Sequence, residues 1–257
     1  EMITGQNVVG NPYAPETIDP QVVKIAQNAA HYAVQKPDEV TDLVDFKQPE
    51  ISDTDLKAPI YIDFGPTSLS ATPWNNITSH QESSTTSWIK DVENNYTNIG
   101  VRVLDGFTAT HAGVGSEPAS PVTVDGVEFP LTAWKDGLLV KGEKNQGDVG
   151  PGRIEISQLD VARKYNFTIL AIRFNGSKDA RISSYKLVGK TESAVKEVKT
   201  GIKDAASVAA ANFEEYIAKF ENVEPDSEGK VIVEVKGLDT GSAAEGHINA
   251  LCISLAK

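Results

Sequence analysis

From Ile60 to the C-terminus the chain is written in short apolar runs separated by turn residues. "IYIDF", "IGVRVLDGF", "VTVDGVEFP", "GLLVKG", "GRIEISQL", "YNFTILAIRF", "ISSYKLVG", "AVKEVKTGI", "EYIAKFENV", "KVIVEVKGL" and "HINALCISL" are rich in Val, Ile, Phe and Tyr. In the first, Ile60, Ile62 and Phe64 alternate with Tyr61 and Asp63, the period of a half-buried strand. Asp125-Gly126 between alternating apolar residues signals a two-residue hairpin turn. "EPDSEGK" before "VIVEV" signals another. Many short strands without alternating helices constrain the chain to an antiparallel sandwich rather than a parallel sheet. One stretch, "IKDAASVAAANFEEYIAKF", has a helical rhythm, but the turn and strand that follow favour a strand for "EYIAKFENV".

The first 58 residues differ. "NVVGNPYAPET" reads as an irregular arm. In "DPQVVKIAQNAAHYAVQKP", Asp19 is placed to cap a helix and Pro20 to occupy its first position. Val22, Ile25, Ala26, Ala29, Ala33 and Tyr32 form a helical stripe, and Pro37 ends it. The acidic stretch that follows, broken by Pro49 and Pro59, reads as a linker. The expected organisation is an N-terminal arm over 1–58 and a β-sandwich over 59–257. The arm is expected to pack on the main domain or to belong to a neighbouring module.

The 257 residues suffice for a large core. The formal charge of −12 argues against nucleic acid as a partner, and no basic cluster interleaved with aromatics opposes that. No apolar run approaches the ~18 residues of a membrane span. A single cysteine, Cys252, excludes an internal disulfide and is expected to be a buried packing thiol. Glu1 is not an initiator methionine, so a processed chain is expected, with any signal peptide or lipid-bearing cysteine removed upstream.

Catalytic signatures are missing. There is no phosphate-binding glycine loop and no G-x-S-x-G elbow, and the four histidines have no metal-ligand spacing. A spatial Ser-His-Asp set or a pair of carboxylates flanking a glycosidic bond leaves no sequence trace, so a hydrolase stays among the alternatives. Four N-x-[ST] sequons occur, at Asn76, Asn95, Asn166 and Asn175. Asn166 lies in an expected strand, where a glycan fits only an outward face.

Several stretches share one resemblance. "YIDFGPTS…PWNNIT", "RIEISQLDVARKYNFTILAIR", "ARISSYKLVG", "YIAKFENVEPDSEGKVIVEVKG" and "GHINALCISL" resemble, in order and spacing, galactose-binding-like jelly-roll modules. These modules are found beside SGNH-type esterases and other polysaccharide-processing proteins of Bacteroides-like bacteria. The resemblance covers about Ile60 to Lys257. It departs in the alanine-rich stretch between Gly201 and Glu214, and the esterase's GDS block is absent. It implies a jelly-roll β-sandwich that assists glycan processing, exported to the periplasm or cell surface. It also implies a possible structural calcium, for which Asp63 is the candidate ligand, and otherwise no cofactor.

A sugar site needs an aromatic face ringed by amides, carboxylates or Arg. The candidates are Trp74, Asn75, Asn76, Trp88, Arg173 and Arg181. Trp74 is either a ligand platform or a plug at the end of the sandwich. Asn75 and Asn76 either bind hydroxyls or close their own loop. Trp88 approaches through a Ser/Thr-rich loop. Arg173 ends one strand and Arg181 starts the next, so the two could grip a carboxylate at one rim or pair with Asp160, Asp179 or Glu155. Trp134 is expected in the core, and Asn249 is expected to bond the first strand. The expected role is a non-catalytic carbohydrate-binding module; a ligand-free spacer of a surface protein and a glycan-acting hydrolase are the alternatives.

Overall fold

A computed structural model describes residue 9 and residues 18–35, 56–112, 121–141, 151–174, 181–202, 213–238 and 245–257. The chain divides into two compact units, Glu1–Glu50 and Ile51–Lys257. In the first, helix α1 spans Pro20–Gln35, beginning at the expected proline, with the Val23 amide donating to the Asp19 carbonyl. Its Val22 is 51% exposed. Of the expected linker over 38–59, residues 38–55 lie outside the described residues, as do the alanine-rich 203–212, Asn175 and Asp179.

The second unit is an antiparallel β-sandwich of jelly-roll type. Its strands in chain order are β1 (Ile60–Phe64), β2 (Trp74–Ile77), β3 (Thr85–Thr86), β4 (Gly100–Asp105), β5 (Ala109–Ala112), β6 (Val122–Val124), β7 (Val127–Phe129), β8 (Asp136–Lys141) and β9 (Gly152–Ser157). They continue with β10 (Tyr165–Leu170), β11 (Arg173–Phe174), β12 (Ile182–Val188), β13 (Lys196–Lys199), β14 (Gly201–Ile202), β15 (Ile217–Val223), β16 (Val231–Gly237), β17 (Glu245–Ile248) and β18 (Ala250–Leu255). A short helix α2 (Thr132–Lys135) precedes β8, and a 3₁₀ turn (Phe213–Tyr216) leads into β15. The helix–strand ambiguity near residue 216 is thus resolved to a strand entered through one tight turn.

Two large sheets face each other. One has the order β15-β10-β18-β1-β2, the other β13-β12-β16-β9-β4-β3. Side chains that alternate inward from both, including Ile60, Ile62, Phe64, Phe167, Ile169, Val101, Ile154, Val233 and Leu251, fuse into the main core. The outer face of the five-stranded sheet is also apolar over part of its area. Trp74, Leu170, Ile217, Ala250 and Cys252 point there and join Phe129, Ala133, Trp134, Phe213 and Tyr216 in a second core. Hairpin β6–β7, helix α2 and the 3₁₀ turn supply that cover. The hairpin turns at Asp125 (φ 50°) and Gly126 (φ 79°), the doubly left-handed geometry that Asp-Gly favours.

The Trp-Asn-Asn stretch is a strand, not the expected loop. β2 runs parallel to β1, pairing Trp74 with Tyr61 and Asn76 with Asp63. Its side chains carry two polar closures. The Asn75 amide nitrogen donates to the Tyr61 and Lys90 carbonyls at 2.9 and 2.8 Å, and its oxygen accepts the Lys90 amide at 2.8 Å. Asn76 clamps Ser70, accepting its N–H at 2.9 Å and donating to its carbonyl at 3.0 Å.

Asn249 interrupts the last two strands and is wholly buried. As expected, it bonds β1, through its carbonyl, which accepts the Phe64 amide at 2.8 Å. Its side chain adds three further bonds: it accepts the Ile172 amide and donates to the Trp134 and Asp136 carbonyls, at 2.7, 3.1 and 2.7 Å. Truncation leaves three buried backbone groups unpaired, each costing about 1–3 kcal/mol. Asn249→Ala is therefore expected to lose roughly 3–5 kcal/mol in urea denaturation, more than Asn75→Ala, whose site is partly open to water.

Candidate functional site

The polar part of the five-stranded sheet's outer face forms a cleft. Where the second core stops, outward positions of β10, β15 and β18 become Asn166, Thr168, Lys219, Glu221 and Ser254. With Tyr61 and the tip of the β6–β7 hairpin they enclose about 340 Å³. The Lys219 ammonium joins the sheet to that tip through the Asp125 carboxylate at 2.5 Å. Tyr61 is half-buried, and its ring lies 5.1 Å from Trp74 at an interplanar angle of 39°. Burial raises the Tyr61 hydroxyl's pKa, with a smaller push from Cys252, its cross-strand partner in the cleft wall. The phenol therefore stays a neutral donor and acceptor at physiological pH.

The sequence-nominated residues fall in other places. Trp74 is 8% exposed and packs between Tyr61 and Phe129, the latter at 5.7 Å. Asn75 and Asn76 spend their amides on the backbone bonds given above. Trp88 is 38% exposed with φ 55°, an unusual backbone for a bulky side chain, and does not line the cleft. Trp134 is fully buried, as expected. Tyr61 carried a readable signal, since an aromatic at an outward position of a strand that is otherwise apolar or acidic needs a partner.

Arg173 and Arg181 do come close enough to influence one another. Arg181 pairs with Glu245, the opening residue of β17, rather than with Asp160 or Glu155. Beside them lie His111 and His247, edge to face at 4.8 Å and buried, with no hydrogen-bond partner on any ring nitrogen. The Tyr185 hydroxyl donates to the His247 carbonyl at 2.5 Å, and the His247 amide donates to Ser183 Oγ at 3.0 Å. Burial, and then the Arg173 and Arg181 charges, push His111 down to about 3. His247 is pushed well below its ordinary value by burial, His111 and the same arginines.

Asp63 is the other buried ionisable group. Its Oδ2 accepts the Ser70 amide at 2.9 Å, while Oδ1 has no hydrogen-bond partner. Burial, reinforced by Asp136, raises its pKa to about 7 against the opposing pull of Ser70. Asp136 gathers the Thr67 amide, the Thr67 hydroxyl and the Ser68 amide on Oδ2 at 2.7, 2.6 and 3.1 Å, again leaving Oδ1 without a partner. Gly65, at φ 135°, admits this approach, because a β-carbon there would come within 2.5 Å of the Asp136 carboxyl carbon. This explains the glycine that follows β1. Among the described residues no group of three or more His, Cys, Asp or Glu is gathered to hold a metal.

These groups give opposed pH dependences. A carboxyl whose folded pKa is raised holds a proton in the native state that the unfolded chain has released. Its stabilising effect is complete below about pH 4 and is lost as pH rises to about 7. Asp63→Asn is expected to flatten that window and to raise stability at pH 8, by at most about 4 kcal/mol. The imidazoles act the other way, since their contribution is complete above pH 6.5 and is lost toward about pH 3. His111→Leu is expected to weaken the acid limb. Denaturant midpoints from pH 4 to 8 separate the two effects.

No family model matches this sequence, and no curated protein matches it. Several solved structures are weakly similar to it. TmCBM61 in complex with beta-1,4-galactotriose is 12% identical, with a TM-score of 0.28 over 47% of this chain and 71% of that one. The ANX2 ectodomain from Arabidopsis thaliana is 8% identical, with a TM-score of 0.39 over 67% of this chain and 53% of that one. Truncated AlyQ with CBM32 and alginate lyase domains is 12% identical, with a TM-score of 0.27 over 61% and 34%. This chain spans about half the length of the plant receptor chain. At such identities and scores none of the three supplies a family or a ligand.

Proposed function

We propose that this chain is a non-catalytic carbohydrate-binding module whose site is the cleft on the outer face of the five-stranded sheet. The observation that carries the reading is Tyr61, a half-buried ring backed by Trp74, in a cleft of about 340 Å³ ringed by Asn166, Thr168, Lys219, Glu221 and Ser254. A pyranose has an apolar face and a polar edge, and this arrangement offers a partner to each. Each neutral hydrogen bond adds about 1 kcal/mol net, so a single site is expected to bind weakly. The sequence resemblance to galactose-binding-like modules agrees with this reading. It also suggests the setting: an exported protein at a bacterial cell surface or in the periplasm, beside polysaccharide-processing enzymes. Among the described residues no helix is long and apolar enough to cross a membrane.

Trp74 reports on the cleft because its ring touches Tyr61. Titration with neutral polysaccharides is expected to give a saturable change in tryptophan fluorescence. Tyr61→Ala should weaken binding about tenfold or more while leaving the circular dichroism of the sheet unchanged, and Tyr61→Phe should keep most of the affinity. A wild-type chain that responds to no polymer would overturn the reading and leave the ligand-free spacer in its place.

Structural calcium stands as a second proposal, centred on Asp63. Its Oδ1 and that of Asp136 are buried and unpartnered, and they would contribute two of the six to eight oxygens that the ion takes. A melting temperature that rises with calcium in the wild type, and not in Asp63→Asn, supports the ion. No rise in either leaves a proton as the partner of Asp63.

A further inference from the structure

Resting on the glycan reading of the cleft, we propose that it selects neutral glycans, with Asn166 and Glu221 taking adjacent hydroxyls, and rejects polyuronates. The argument begins with a bulge. β10 and β15 pair Tyr165 with Val223 but Phe167 with Phe220, so β15 carries one extra residue. Asn222 absorbs it at φ 57°. A bulge re-aims the side chains around it. Here Phe220 and Val223 both pack on the main core, while Glu221 stands exposed in the cleft wall.

The bulge also orients Asn166. The Asn222 amide donates to the Asn166 side-chain oxygen at 3.0 Å. With its oxygen used, the Asn166 amide presents its nitrogen as the donor, and among the described residues no group accepts from it. Glu221 forms no ion pair among the described residues and presents acceptors only. A donor and an acceptor from neighbouring strands match two adjacent sugar hydroxyls, one accepting from Asn166 and one donating to Glu221. Hydrogen bonds to a charged acceptor are the stronger kind.

The same charges exclude an acidic sugar. The cleft is lined by the carboxylates of Asp125 and Glu221 and by one cation, Lys219, which is already paired with Asp125. Lys196 does not balance them. It donates to the Lys219 carbonyl from β13 and holds its ammonium 5.2 Å above the Phe220 ring, and it is not among the residues lining the cleft. A uronate in the cleft would meet that surplus negative charge, on a chain whose formal charge is −12.

The test compares retardation of the full chain in gels containing a neutral β-galactan or galactomannan with gels containing polygalacturonate or alginate. Binding to the neutral polymers alone is expected. Glu221→Gln and Asn166→Ala should each weaken it about tenfold. The double variant Asp125→Asn, Glu221→Gln frees Lys219 and should gain retardation by the polyuronates. Polyuronate binding by the wild type as tight as neutral binding, or unchanged neutral binding by Glu221→Gln, would overturn the selectivity and leave the glycan site standing. Binding to none of the four polymers would overturn the site itself, and the selectivity with it.

Discussion

A sheet that is apolar on both faces needs two covers, and the rest of this fold follows from that requirement. β1, β10 and β18 place Ile60, Ile62, Phe64, Phe167, Ile169, Leu251 and Ile253 against the opposite sheet. Their alternate positions, Leu170, Ala250 and Cys252, point away from it and are apolar too. Exposed, those side chains would form a contiguous apolar patch. The chain covers them with one hairpin, one turn of helix and one 3₁₀ turn, contributing Phe129, Trp134, Phe213 and Tyr216. Further along the same strands the outward positions become Asn166, Thr168 and Ser254, and cover is no longer required. The cleft is the boundary between those two compositions.

Covering a sheet with irregular chain leaves backbone groups to satisfy, and buried polar side chains satisfy them. Asn249 binds the segment after β10, the end of α2 and the start of β8 at once. Asp136 holds the turn after β1 through the amides of Thr67 and Ser68. Asp63 and Asn76 share the Ser70 amide. Each arrangement makes the layer above the sheet depend on specific hydrogen bonds rather than on packing alone, and a missing partner there is costly. The raised pKa of Asp63 is the consequence of burying a carboxyl in that layer, with the neighbouring Asp136 adding to the effect.

The sequence was most legible where a period of two coincides with burial. The runs containing β1, β4, β9, β10, β12, β15, β16 and β18 were all identifiable from alternation, and Asp125-Gly126 announced its hairpin. β2 was not, because Trp-Asn-Asn-Ile carries amides whose backbone-bonding role looks like loop chemistry until Lys90 and Ser70 are placed beside them. β5 hides in Ala-Thr-His-Ala, a run with no apolar alternation. Site residues suffered from the same limit. Arg181 meets Glu245 across 64 residues, a pairing that sequence distance conceals. Lys219 and Asp125 are farther apart still and meet only because the hairpin folds back over the sheet.

Tyr61 and Trp74 divide the outer face between a boundary position and a covered one. Parallel pairing of β1 and β2 sets the two residues side by side on the outer face. The indole, the larger and more apolar ring, takes the covered position against Phe129, where its burial is worth most. The phenol takes the boundary position, half-buried with its ring tilted against the indole. A ring held from behind loses little freedom when a ligand stacks on it, so less of the interaction is spent on ordering the site. Trp74 thus acts on the cleft by fixing the Tyr61 ring that forms part of its wall.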